Sequence, residues 1–182
     1  MASKRALTGG TGDVNPQTIG IYLAQATLNS YVHTAITIPR PQMLTKGKAT
    51  VMELLRATII WPDVQAAAAG IAYGRSFIGL STKLGLSAPL DLDEPACIFN
   101  RQRVHVNAFT ALGSLYTVFE RNQDFEFTDG AGHGILIGAD TLFFSLLTNG
   151  FAAPTHIHGK FYYRFKTIGL AEYIGIVQSM AV

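Results

Sequence analysis

A chain of 182 residues is long enough to form one domain with a substantial core. Only 14% of it is charged, well below the roughly 25% of ordinary soluble domains, so part of its surface is expected to be buried between subunits. A formal net charge of +2 does not by itself indicate nucleic acid, and the single cysteine, Cys97, excludes an internal disulfide framework. The longest apolar stretches, 66–73 and 135–147, are too short to span a bilayer. The opening Met-Ala-Ser-Lys-Arg has no apolar run behind it, so no secretory signal is expected.

Residues 1–18 are rich in Gly, Thr and Ser and predict a mobile N-terminal arm, with the domain proper over 19–182. Residues 19–38 are apolar and β-branched, and a strand over 34–38 is closed by Pro39-Arg40-Pro41. Lys46-Gly47-Lys48 makes a basic turn ahead of a long strand over 50–61. There Thr58, Ile59, Ile60 and Trp61 outweigh the helix propensity of Met52, Glu53, Leu54, Leu55 and Arg56. A helical turn is expected over 64–69, a glycine-spotted strand over 71–80, and a loop over 82–95 ending in Asp91, Asp93 and Glu94. Strands over 96–99 and 104–109 flank Arg101 and Arg103, and another covers 115–120. Residues 124–128 lead into the tight turn Asp129-Gly130-Ala131-Gly132. Residues 135–147 form one strand or two joined at Gly138, and Asn149-Gly150 predicts a hairpin turn.

Two closing strands are predicted, over 160–167 and 170–179, hinged at Ile168-Gly169. In the first, Phe161, Tyr163 and Phe165 share the core face, while Tyr162, Arg164 and Lys166 share the other. The second is apolar on nearly both faces, as expected of a terminus tied into a sheet or a neighbouring subunit. About eight strands and almost no helix predict an all-β fold, an antiparallel sandwich or barrel. The single eight-stranded jelly roll is the natural member of that class.

Motifs for chemistry are sparse. His156 and His158 lie on one face of a strand after Gly150, which is how a metal site of the cupin type begins. No glutamate follows at the required spacing and no histidine lies downstream. The runner-up function is therefore a cupin-type metal-binding enzyme using His156 and His158, and a third is a β-sandwich ligand-binding module. Asp124, Glu126 and Asp129 have the residue types for paired-carboxylate chemistry or calcium, but more commonly mark a salt-bridged strand end. Gly130-Ala131-Gly132-His133-Gly134 lacks the helix and lysine of a phosphate loop. Cys97, beside Ile98 and Phe99, fits a buried inert thiol. No catalytic residue, metal or cofactor is assigned.

The positive charge is held mostly by Lys4, Arg5, Arg40, Lys46, Lys48, Arg101, Arg103, Arg164 and Lys166, while acids concentrate at 91–94 and 124–129. Gathered on one side of a domain, these nine cations would neutralise phosphates despite the small net charge. They are the candidate nucleic-acid contacts.

Three segments resemble a known family: Lys48-Ala-Thr-Val-Met-Glu-Leu-Leu-Arg56, Thr128-Asp-Gly-Ala-Gly-His-Gly134 and Tyr162-Tyr-Arg-Phe-Lys-Thr-Ile-Gly-Leu-Ala-Glu-Tyr-Ile-Gly-Ile-Val-Gln-Ser179. Together they look like the capsid proteins of small circular Rep-encoding single-stranded DNA (CRESS-DNA) viruses. The resemblance implies a non-enzymatic jelly roll that self-assembles into an icosahedral shell of about sixty copies. It also implies a circular ssDNA genome inside, a host receptor outside, no membrane partner, and location in the virion, with assembly in the host nucleus. Members of the family commonly carry a long arginine-rich arm, whereas this arm has only Lys4 and Arg5. Either cations make up the difference, or bases stack on inward-facing aromatic residues, or the shell packages little nucleic acid.

Overall fold

The computed structural model describes residues 16–40, 46–61, 73–106, 108–109, 115–116 and 122–181. Residues 1–15 of the expected arm and the expected helical turn at 64–69 lie outside them. The elements are β1 (Gln17–Ala24), β2 (Tyr31–Thr37), β3 (Lys48–Ile60), β4 (Tyr73–Ser81), β5 (Cys97–Val106), β6 (Ala108–Phe109), β7 (Leu115–Tyr116), β8 (Asn122–Glu126), β9 (Ile135–Ile137), β10 (Thr141–Asn149), β11 (His156–Gly169) and α1 (Leu170–Ala181).

One sheet runs β1-β11-β3-β8, with β9 continuing the outer edge of β3, and the other runs β2-β10-β4-β5. Leaving aside β9 and the small β6-β7 pair, eight strands remain. The first pairs with the last (β1 with β11), the second with the next to last (β2 with β10), the third with β8, and the fourth with β5, all antiparallel. That nesting is a ribbon of paired strands rolled once on itself, which is the eight-stranded jelly roll expected from the strand count. The strands over 50–61 and 71–80 are found as β3 and β4, and 135–147 divides into β9 and β10 on either side of Gly138.

The core lies between the two sheets. Phe161, Tyr163 and Phe165 of β11 are 1%, 2% and 3% exposed, as their alternation predicts. Phe161 meets Phe144 of the opposite sheet edge-on, with ring centroids 5.4 Å apart. Gly159 makes this possible, because a Cβ there would press on Phe144 at 3.2 Å. Phe99 of β5 stacks across the sandwich on Phe125 of β8, centroids 5.0 Å apart. Burying each such ring contributes about 1.5–3 kcal/mol, and the ring pairing adds about 0.5–1.5 kcal/mol.

Two expectations are corrected. The first is the final strand over 170–179, which is the helix α1. Apolar residues on both parities fit alternation poorly, whereas Tyr173, Ile176, Val177 and Met180 recur at helical spacing. That stripe packs on the backbone at Gly138, where a Cβ would come within 2.8 Å of Val177 Cγ2. The Tyr173 hydroxyl donates to the Gly138 carbonyl at 3.4 Å. Glu172 in the first turn suits the positive end of the helix dipole. The sheet therefore ends at Gly169, and the Leu170 amide donates to the Gly47 carbonyl at 3.0 Å.

The second correction concerns Asn149-Gly150. Gly150 takes the left-handed conformation of a turn (φ 77°), but the strands it joins are not a hairpin. β10 pairs with β2 and β4, and β11 pairs with β1 and β3, so the chain crosses between sheets here. The crossing is held by the β1–β2 connection: Asn29 Oδ1 accepts from the Phe151 amide at 3.0 Å, and the buried Gln25 Oε1 accepts from Thr148 Oγ1 at 3.0 Å. Long-range partners, invisible to local turn chemistry, decided which strands pair.

Candidate functional site

The three segments that carried the family resemblance converge on one point. β8 and β9 lie end to end along β3, and the segment joining them leaves that edge and folds over the outer face of the sheet. Beneath it Glu53, from the first segment, is fully buried. Its Oε1 accepts from the amide of Gly134, in the second segment, at 3.0 Å. Its Oε2 accepts from Nε of Arg164, in the third segment, and Lys166 Nζ stands 3.9 Å from Oε1. Arg164 also reaches the Gly132 carbonyl at 3.3 Å.

Burial pushes the Glu53 carboxyl up, but the Arg164 hydrogen bond, the Gly134 amide and the Arg164 and Lys166 charges outweigh it and leave the carboxyl below its ordinary range. The turn that presents Gly134 is fastened by Asp129, whose Oδ1 accepts from the amides of Ala131 and His133 and whose Oδ2 meets His133 Nδ1 at 3.1 Å. Bonding to the His133 amide and ring, then to the Ala131 amide, holds the Asp129 carboxyl low. Gly134 has no room for a side chain: a Cβ would lie 2.2 Å from the Leu54 carbonyl oxygen. Gly134→Ala is expected to lift this segment off β3 and destabilise the domain by about 1–3 kcal/mol, read as a lowered urea midpoint.

The described members of the candidate nucleic-acid set are placed as follows. Lys4 and Arg5 lie outside the described residues. Arg40 ties the end of β2 to the β9–β10 connection through the carbonyls of Gly138 (3.1 Å) and Ala139 (2.6 Å) and the carboxylate of Asp140 (3.1 Å). Lys46 and Lys48 are exposed at the turn before β3. Arg101 lies over the Phe125 ring at 6.0 Å and Arg103 over the Trp61 ring at 5.7 Å, at the seam between β5 and the opposite sheet. Arg164 and Lys166 do point away from the core, as alternation predicts, but toward Glu53.

His156 and His158 do share an outward face, with ring centroids 5.8 Å apart. Their common neighbour is Tyr22 of β1, 5.4 and 5.0 Å away, and no third His, Cys, Asp or Glu joins them among the described residues. Asp124 and Glu126 share a face too. Asp124 accepts from Thr58 Oγ1 at 2.6 Å and from Arg56, which hold its carboxyl low, and Glu126 accepts from Thr128 at 2.9 Å. The Cys97 thiol is half-buried rather than buried. It donates to the Leu90 carbonyl at 3.4 Å, and its pKa is raised by burial and by Asp91, Asp93 and Glu94, as in an unreactive thiol.

No family model and no curated protein matches the chain. Solved structures do match it by fold. VP1 in the pentamer of human polyomavirus 7 superposes with a TM-score of 0.56 at 9% identity, covering 84% of this chain and 95% of that one. The unassembled VP1 pentamer of Merkel cell polyomavirus gives 0.51 at 11% identity, covering 89% and 98%. VP1 of Trichodysplasia spinulosa-associated polyomavirus gives 0.51 at 11%, covering 84% and 96%. The fold is the jelly roll that these VP1 proteins share. At these identities the likeness is one of architecture. No described helix is long and apolar enough to cross a membrane.

Proposed function

We propose that this chain is a viral coat protein, a non-enzymatic jelly roll that assembles into a small icosahedral shell around a nucleic-acid genome. The observation that carries this is the complete nested pairing of eight strands, in the architecture of VP1 coat proteins. The finer assignment is to a CRESS-DNA virus, with about sixty copies enclosing a circular ssDNA genome. It is supported by the three resembling segments and by their convergence on Glu53. The residues ahead of β1 act as the arm that brings Lys4 and Arg5 to the genome.

Surface composition supports assembly. Leu170 and Ile174 on one face of α1 are each 48% exposed, and Leu86 and Leu92 stand out from the loop between β4 and β5. Neighbouring apolar side chains on one helix face, as at Leu170 and Ile174, suit a surface that meets another protein. In a closed shell each such contact is repeated by symmetry, so weak individual contacts suffice. Negative-stain electron microscopy of the purified protein tests the assignment: uniform spheres support it, and a dispersed monomer refutes it.

A further inference from the structure

We propose that the outer face of the β1-β11-β3-β8 sheet holds single-stranded nucleic acid, one base stacking on Tyr22 above Gly20 and its phosphate meeting Lys160 and His158. This rests on the coat-protein role and names a genome contact within it that does not use the nine cations discussed above.

Register places the groups. Gly20 pairs with Lys160 and Tyr22 with His158, so all four project to the same outward side. They line an open groove of about 370 Å³, completed by Ile21, Ile60 and Gly159, a size within the roughly 300–1,000 Å³ of small-ligand clefts. Its floor is flat because residue 20 is glycine, and a Cβ there would meet nothing within 4 Å. Tyr22 stands at its side 59% exposed, unusually open for so large a ring, and is braced by the two imidazoles.

Charge selects the occupant. The groove is lined by no carboxylate. Lys160 leans over the Tyr162 ring at 5.3 Å and has no carboxylate partner among the described residues. Asp124, on the same face, is already held by Arg56 and Thr58. An exposed aromatic face, a bare floor and an uncompensated cation suit a planar base with a phosphate attached, and base stacking needs little net charge.

The test uses the full chain with fluorescein-labelled oligothymidylate, read by anisotropy, alongside the 260/280 nm absorbance ratio of assembled particles. Tyr22→Ala and Gly20→Leu, the second filling the groove where space is open, are each expected to weaken binding about ten-fold. Lys160→Ala should weaken it and flatten its salt dependence. The same variants should form particles of normal size with less nucleic acid. Unchanged binding and content in normal particles would overturn the proposal. So would variants that bind normally but no longer assemble, since the face would then be a subunit contact. If no particle forms even from the unaltered chain while the three substitutions still weaken binding, the groove stands and the shell does not.

Discussion

Replacing Glu53 by alanine is expected to destabilise the domain by about 3–5 kcal/mol, because removing one partner of a buried pair strands the other. Arg164, whose side chain is only 23% exposed, would face an empty site, and the Gly134 amide would lose its acceptor. Glu53→Gln keeps the shape and the Gly134 bond and should cost less. Acid titration separates charge from shape. The Glu53 carboxyl is held below its ordinary value of 4.5, so the stability it contributes is present above that pH and lost as pH falls through the lower folded value. The native protein should therefore weaken in acid over this range more than Glu53→Gln does. Asp124 and Asp129 are also held low, but they are exposed and remain in both proteins, so their effects cancel in the comparison. Urea midpoints measured from neutral pH downwards read both effects. Equal acid sensitivity in the two proteins would show that the contact of Glu53 with Gly134 and Arg164 does not depend on the Glu53 charge.

The second large effect concerns assembly rather than folding. Leu170→Asp together with Ile174→Asp is expected to abolish shells while leaving the thermal midpoint within a few degrees of the unaltered protein. Both side chains are about half exposed and lie off the Tyr173–Ile176–Met180 side that packs on the fold, so charging them costs the monomer little. In an interface repeated by symmetry, each copy would bury two unpaired carboxylates at every contact, several kcal/mol each time. Light scattering separates the two states. Shells forming normally from the double variant would remove α1 from the subunit contacts.

Much of the fold was legible because alternation is a local property. β3, β4 and the 160–167 part of β11 read directly as strands, and the core assignment of Phe161, Tyr163 and Phe165 follows from it. Where both parities were apolar, as in α1, alternation said little; the helical recurrence of Tyr173, Ile176, Val177 and Met180 was the better signal, and their contact with the Gly138 backbone agrees with it. Asn149-Gly150 looked like a hairpin because turn chemistry does not report which strands flank it in space. The surroundings of the basic residues were hidden for a related reason. Charge is visible in a sequence, but the buried Glu53 that engages Arg164 and Lys166 is visible only once three distant segments meet. Tyr22 and Gly20 carry no charge and no motif. Only their register with His158 and Lys160 marks them.

The central claim is that this roll builds a closed shell, and the mass of the assembled particle tests it most directly. Mass measurement of the purified full-length protein should give a single species near 1.2 MDa, about sixty copies of a 19.6 kDa chain, in spheres of roughly twenty nanometres. A sole species at 19.6 kDa, or a small fixed ring that never closes, would contradict it.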